Sequence, residues 1–150
     1  MKQNHLIPFI QRLLKMHYIP SRRVTLPCDD WSWCDLGLRS TILGMSSDEI
    51  LRISPIKSLE PRTIYHIVDG FQCMYSAIRL DENEFLLCGP VMSEALTSNR
   101  MQQILEQQRI PDELHEMVTH YCYSISNSPR NQHHENVLIA FAEELYGKGN

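Results

Sequence analysis

The stretch YHIVDGFQC, residues 65–73, contains the three side-chain types that nucleophilic catalysis combines: a thiol, an imidazole and a carboxylate. Cys73 would be the nucleophile, His66 the base, and Asp69 the acid that orients the base. Asp69-Gly70 is also a strong hairpin signal between apolar runs, because glycine accepts the positive φ of a tight turn. With these two residues as the loop, His66 pairs with Cys73 on one face, and Asp69 lies at the turn tip. The sequence therefore predicts a His-Cys pair without its acid.

The predicted His66–Cys73 pair has three interpretations. It could be catalytic, it could line a ligand pocket, or the histidine could be half-buried beside a small core thiol. The aromatic neighbours Phe71 and Tyr75 favour an apolar environment for the thiol, and therefore the last two interpretations. The enzyme alternative uses either Cys73 or Cys88 with His66.

Two tryptophans lie in the otherwise polar and irregular segment CDDWSWCDLGLRS, residues 28–40. Tryptophans in such a segment either fill the core or form the roof of a ligand site. If they form a roof, the ligand is held between this loop and the sheet that carries the histidine and the thiols. The predicted ligand-lining residues are Trp31, Trp33, His66, Cys73, Tyr75 and Cys88.

Residues at the standard spacings of metal and cofactor sites are missing from the sequence. Five residues separate Cys28 from Cys34, which is more than a zinc knuckle has, and His115 and His120 fall on different faces of a predicted helix. Neither a glycine-rich phosphate loop nor a GxSxG motif is present. We therefore expect no metal and no cofactor.

The composition is that of an ordinary globular chain, with 43% hydrophobic and 21% charged residues and a net charge of -4. The densest basic stretch is Arg22-Arg23, so a nucleic-acid surface is not expected. No signal peptide and no apolar run of membrane-spanning length is evident, and the odd number of cysteines, five, suits reduced thiols. We expect one domain over residues 1–150, located in the cytoplasm, with no membrane partner.

The hydrophobic pattern predicts a helix, an irregular segment, a sheet and then more helices. Residues 4–18 have helical spacing, residues 22–27 are extended, and residues 46–53 suit a short capped helix. Three antiparallel strands are predicted over about 63–91 as a meander, apolar enough for both sheet faces to be covered. Helices follow at 98–110, 111–125 and 132–146. The predicted fold class is α+β, an antiparallel sheet with flanking N-terminal and C-terminal helices.

The stretch TIYHIVDGFQCMYSAIRLDENEFLLCGPVM, residues 63–92, resembles the N-terminal domains of AraC-type bacterial transcriptional regulators. In that group one strand ends in an aspartate, the next carries a tyrosine, and the third closes with Gly-Pro. The matching positions here are Asp69, Tyr75 and Gly89-Pro90. The order of the surrounding helices agrees as well.

This resemblance implies a PAS- or GAF-like sensor domain that binds a small effector against its sheet and forms a homodimer. DNA would be bound only by a helix-turn-helix module expected beyond residue 150. The C-terminal helix, 132–146, would carry the signal towards that module. A pure dimerisation domain without a ligand is the remaining interpretation.

Overall fold

The computed structural model describes residues 2–25, 32–46, 50, 64–92 and 94–128. Its helices and strands, in chain order, are α1 (Lys2–Met16), β1 (Ser21–Thr25), α2 (Ser32–Asp35), a π-helical turn (Leu38–Ile42), β2 (Ile64–Val68), β3 (Met74–Arg79), β4 (Glu84–Val91), α3 (Ser98–Gln107), a 3-10 turn (Asp112–Leu114) and α4 (His115–Ser126). Some predictions lie outside the described residues. They concern Trp31, the helix 132–146, and the short helix at 46–53, of which only residues 46 and 50 are described. The α+β class with flanking helices is confirmed. No described helix is both long and apolar enough to cross a bilayer.

Over the described residues the sheet is antiparallel with four strands in the order β1-β4-β3-β2, whereas the sequence predicted three. The additional strand is β1, which pairs with β4 so that Ser21 is opposite Cys88 and Thr25 is opposite Glu84. The sequence indicated an extended segment here but not its partner. Some sixty residues separate the two strands, so no local turn signal could reveal the pairing.

Both faces of the sheet are covered, as the apolar strands predicted. Helix α1 packs on one face through Ile10 and Leu14, which contact Ile78, Leu86 and Cys88. The opposite face packs against α2, the π-helical turn and the helices α3 and α4. The larger of the two cores lies on that second face and includes Val24, Leu38, Ile67, Tyr75, Phe85, Leu87, Ile104, Val118 and Cys122.

Helix α1 ends in a Schellman motif whose left-handed residue is a tyrosine. The N–H of Ile19 bonds to the carbonyl of Leu14 at 2.9 Å, and the N–H of Tyr18 bonds to that of Lys15 at 3.0 Å. Tyr18 has φ 62°, at the position where glycine is usual. Ile19 and Leu14 are both buried, which supplies the hydrophobic contact that accompanies this motif.

The segment predicted to be irregular contains two short helical turns, α2 and the π-helical turn. Asp35 holds them together because its Oδ1 accepts the N–H of Gly37 at 3.1 Å and its Oδ2 accepts that of Arg39 at 3.2 Å. Gly37 has φ 80°, which a residue with a side chain adopts at a cost. These turns place Trp33 and Arg39 beside the sheet.

Helices α3 and α4 follow the predicted pattern with shifted ends. Helix α3 begins at Ser98 as predicted but ends at Gln107 and not at residue 110, and its N-cap is Thr97, whose Oγ1 accepts the N–H of Arg100 at 3.2 Å. A 3-10 turn precedes α4, so that this helix begins at His115 and not near Pro111. Both helices pack their apolar side on the larger core.

Candidate functional site

The β2–β3 hairpin has a longer loop than the Asp69-Gly70 turn that the sequence predicted. In the observed register His66 is opposite Ser76 and Val68 is opposite Met74, so residues 69–73 form the loop. The predicted register is wrong by three residues. An odd shift moves the partner side chain to the other face, because side chains alternate along a strand. His66 and Cys73 therefore do not form a pair.

The sequence predicted Asp69 at the tip of the turn. In the structure it is a buried loop residue, and 8% of the whole residue is exposed. Its Oδ1 accepts the N–H groups of Phe71 and Cys73, each at 2.9 Å, which fixes the loop. Its Oδ2 accepts the Tyr75 hydroxyl at 3.0 Å and Arg39 Nη1 at 2.7 Å. Four hydrogen bonds thus hold one carboxylate inside the protein, where an unpaired one would be very costly.

Arg39 is the centre of this buried network, with its side chain 1% exposed. Its Nε donates to Asp35 Oδ2 at 2.6 Å and its Nη2 donates to the Tyr75 hydroxyl at 3.1 Å. The guanidinium carbon lies 4.7 Å from the centroid of the Phe71 ring, a cation–π distance. Burial by itself would lower the pKa of Arg39, but the facing Asp69 carboxylate raises it above the ordinary value, so the group stays charged.

The Arg39 network connects the segment 32–43 to the β2–β3 hairpin and leaves no reactive group exposed. Both carboxylates and the tyrosine hydroxyl are engaged, and all four side chains are buried. Its chemistry is that of a satisfied polar core, which orients the elements around it. The i, i+4 spacing of Asp35 and Arg39 is a sequence signal for this network, but that spacing is also common on exposed helix faces.

His66 lies on the α1 side of the sheet, on the outer strand β2. Its Nδ1 is 3.0 Å from Ser76 Oγ, and Ser76 is in turn opposite Cys88 on β4. His66 and Cys88 are therefore two strand spacings apart, roughly 10 Å. Ser76 and Cys88 are both fully buried, whereas His66 itself is exposed, so the histidine is accessible but has no accessible thiol beside it among these residues.

The thiols of the predicted site lie inside the two cores. Cys73 belongs to the larger core and Cys88 to the core beneath α1, and neither is exposed. Burial raises the pKa of Cys88 to about 12. Burial also raises the pKa of Cys122 to about 12, with the Asp69 charge adding to the effect and Arg39 opposing it. Cys88 and Cys122 therefore keep their protons at neutral pH, unlike the lowered-pKa thiols of nucleophilic sites.

Trp33 and Tyr75 are the two predicted ligand-lining residues that the structure brings together. Their rings meet edge to face, with centroids 6.5 Å apart and planes at 78°. Tyr75 is fully buried, whereas Trp33 is only partly buried and packs on the larger core. Trp33 therefore has one side on the interior and the other available at the surface.

The outer side of Trp33 lines an open groove of about 940 Å³. The groove follows the edge of β1 that pairs with no other described strand, between the last turns of α1 and the tryptophan. We call it the edge groove; its described lining residues are Gln11, Arg12, Lys15, Tyr18, Ile19, Pro20, Ser21, Arg22, Arg23 and Trp33. The volume is in the range of pockets that hold small organic ligands.

The described lining of the edge groove is cationic. It contains Arg12, Lys15, Arg22 and Arg23 and no acidic residue. Arg23 forms an ion pair with Glu84 on the neighbouring strand β4. The sequence showed the Arg22-Arg23 pair but could not show that the end of α1 adds two more cations, because helix and strand are brought together only by packing on the same sheet.

Of the six ligand-lining residues predicted from the sequence, Trp33 alone lines the edge groove among those that the structure describes. Tyr75 contacts Trp33 from beneath, while Cys73 and Cys88 are in the cores and His66 is on the far strand β2. Within the described ranges, no three His, Cys, Asp or Glu side chains lie together so as to hold a metal ion.

No protein-family model, no curated protein and no solved structure matches this chain.

Proposed function

We propose that this chain is the ligand-sensing domain of a bacterial AraC-type transcriptional regulator, and that its small effector binds in the edge groove against Trp33. The regulator assignment and the PAS- or GAF-like character depend on the resemblance of residues 63–92. The position of the ligand depends on one observation, the groove of about 940 Å³ with Trp33 between it and the core. A cytoplasmic homodimer that binds DNA through a separate module belongs to the same proposal.

The signal would travel through a chain of contacts that begins at Trp33. The tryptophan ring meets Tyr75, whose hydroxyl bonds to Asp69 and Arg39. Arg39 stacks on Phe71, and the Phe71 ring meets Tyr121 of α4 edge to face at 6.1 Å. A ligand that moves Trp33 would thus bias the packing of α4, the last described helix before the predicted output helix 132–146. This mechanism requires a ligand with different affinities for the two arrangements.

The enzyme alternative is weaker on this geometry. It needs an accessible thiolate beside His66, and the two thiols in question are buried and separate from that histidine. A nucleophilic cysteine has a lowered pKa and partial exposure, whereas Cys88 has neither.

The test is native mass spectrometry of the gently purified chain, followed by the same measurement on Trp33→Ala. We expect a small molecule to co-purify with the wild type and to be lost in the variant. Tyr65→Ala is the matched control, since Tyr65 is an aromatic residue beside the same core but outside the groove lining. The dimerisation module would be favoured by a different result: the wild type carries no small molecule and binds none from a metabolite mixture, yet it is a stable dimer.

A further inference from the structure

We infer that the ligand of the edge groove is a small organic anion with a flat apolar body, such as an aromatic carboxylate, sulfonate or phosphate ester. This inference rests on the proposed ligand-binding function and adds the chemical class of the ligand. It follows from two properties of the groove: cations without carboxylate partners in the described part of the chain, and two aromatic side chains in its lining.

Three of the four cations in the described groove lining have no acidic partner among the residues that the structure describes. Arg12, Lys15 and Arg22 are exposed, and none of them has an ion pair with any described residue. Arg23, by contrast, is bound to Glu84 and thereby partly neutralised. An anion that enters the groove would therefore lie among cations without a counterion of their own in the described structure, and neighbouring charges of one sign raise the local concentration of the opposite ion.

The aromatic walls are Trp33 and Tyr18, which come from separate parts of the chain. Tyr18 is 65% exposed and has φ 62° at the left-handed position that ends α1. A glycine would avoid the steric cost of that conformation, so the tyrosine is not explained by the helix end itself. A flat apolar ring can stack on either side chain.

The groove is built around the outer edge of β1 in the described sheet. Arg22 and Val24 alternate with Ser21 and Arg23 along this strand, so the two arginines point to opposite faces of the sheet. The charges therefore approach a ligand from both sides of the strand edge. Cations on an edge strand also oppose pairing with other chains, and Lys15 suits the C-terminal end of α1, but neither role requires the two aromatic rings.

The size and the overall charge favour a small anion over a nucleic acid. The groove has about 940 Å³, which suits one small organic molecule. The chain carries a net charge of -4, which would repel a long polyanion.

The experiment uses two fluorescent probes with similar aromatic bodies, anilinonaphthalenesulfonate, which is anionic, and phenylnaphthylamine, which is neutral. We expect the folded chain to bind one sulfonate probe per protomer and to bind the neutral probe at least about tenfold more weakly, a difference of one power of ten in Kd. Raising the salt from about 50 mM to about 500 mM should weaken the sulfonate complex through screening. The neutral probe should be unaffected by salt.

Charge variants locate the site. Arg12→Gln, Lys15→Gln and Arg22→Gln should each weaken sulfonate binding by about two- to fivefold, the effect expected of single exposed charges. Arg109→Gln is the matched control, because Arg109 is an exposed cation outside the groove, and it should leave the affinity unchanged. Tyr18→Gly should weaken the binding of both probes. Circular dichroism of each variant verifies that the fold is retained.

Several outcomes would overturn the inference. Equal affinity for the two probes, or identical effects of Arg22→Gln and Arg109→Gln, would show that charge does not select the ligand. Tighter binding of a single-stranded oligonucleotide than of the sulfonate, lost in the same variants, would assign the groove to nucleic acid. If a neutral compound co-purifies and is lost in Trp33→Ala, the proposed function survives and only the anion class fails. If neither probe nor any co-purified compound binds, both fail.

Discussion

Arg39 Nη1 lies 2.7 Å from Asp69 Oδ2, and neither side chain is exposed by more than 1%. The pair joins two segments thirty residues apart in sequence, and the Tyr75 hydroxyl bridges the same two side chains. A charge pair in this position fixes the π-helical turn, and with it Trp33, against the sheet. The position of Trp33 in the lining of the edge groove therefore depends on the Arg39 network.

Replacing Arg39 tests this dependence. Arg39→Met keeps much of the side-chain length but leaves Asp35 and Asp69 as buried carboxylates without their cation. We expect the free energy of unfolding to fall by about 3–5 kcal/mol, the usual result of removing one partner of a buried ion pair. Urea denaturation followed by circular dichroism measures it.

The control for that variant is Arg100→Gln, which breaks the exposed ion pair between Arg100 and Glu94. A change below about 1 kcal/mol is expected, because exposed pairs contribute little. Equal losses in the two variants would contradict the special role of the buried pair.

The Tyr75 hydroxyl can be tested by removing one atom. Tyr75→Phe leaves Asp69 Oδ2 and Arg39 Nη2 each without one of their buried hydrogen-bond partners. We expect a loss of about 1–3 kcal/mol in the free energy of unfolding. Tyr65→Phe, at a half-buried position on β2, should change it by less than about 0.5 kcal/mol. A stable Tyr75→Phe protein would mean that water can replace the hydroxyl.

Because Tyr18 has a left-handed conformation, we expect Tyr18→Gly to raise the stability of the fold while it weakens ligand binding. Tyr18→Gly removes the steric cost of φ 62° while little buried ring surface is lost, since the residue is 65% exposed. We expect the free energy of unfolding to rise by about 1 kcal/mol. Tyr18→Phe should leave it unchanged. A destabilised glycine variant would show that the ring contributes to packing.

The close approach of β4 to β3 at Gly89 predicts that no side chain is tolerated there. Gly89 has φ 140°, and a Cβ at this position would lie 2.8 Å from the Met74 carbonyl oxygen and 3.2 Å from Tyr75 Cα, beside the β-bulge. Gly89→Ala should destabilise the fold by about 2 kcal/mol or more, since backbone atoms cannot move aside easily. Gly44→Ala is the control at an open position with positive φ, and thermal unfolding compares the two.

The buried thiols predict a loss of stability in alkaline solution. The pKa of Cys88 is about 12 in the folded chain against an ordinary value of 9.0, so the unfolded state loses its proton first as the pH rises. The contribution of this thiol is therefore complete below about pH 9 and declines between pH 9 and 12. Cys88→Ala should lower the slope of stability against pH in that range.

Thiol labelling provides an independent measurement of the same burial. A disulfide reagent should react slowly with Cys73 and Cys88 in the folded chain at pH 8, and rapidly after unfolding in urea. Fast labelling of either cysteine in the native protein would contradict the inert-thiol interpretation and revive the enzyme alternative.

Much of the fold was predictable because it depends on local signals. The spacing of Ile10 and Leu14 in α1, the apolar strands β3 and β4, and the proline and acidic residues before α4 each act within a few residues. The hairpin itself was predicted, but not its register. Asp69 accepts two loop N–H groups and extends the loop to five residues, which the Asp-Gly signal does not reveal.

The candidate site was less predictable than the fold. Trp33 was singled out from the sequence because a large aromatic residue stood in a polar segment, and it does line the groove. Tyr18 and Arg12 carried no such signal, since a tyrosine at a helix end and an arginine on an amphipathic helix are ordinary. They line the groove because the fold places the end of α1 beside β1 and Trp33.

The sequence by itself determined the α+β class, the helices and the apolar strands, because propensity and hydrophobic period are properties of neighbouring residues. The tertiary structure alone decided the pairing of β1 with β4, the burial of Asp69 with Arg39, and the collection of four cations around Trp33. Each of these joins residues far apart in the chain, and their energies depend on distance and solvent exclusion, which no local pattern records. The stretch YHIVDGFQC illustrates the difference: its residue types suggested catalysis, and a shift of three residues in register separated His66 from Cys73.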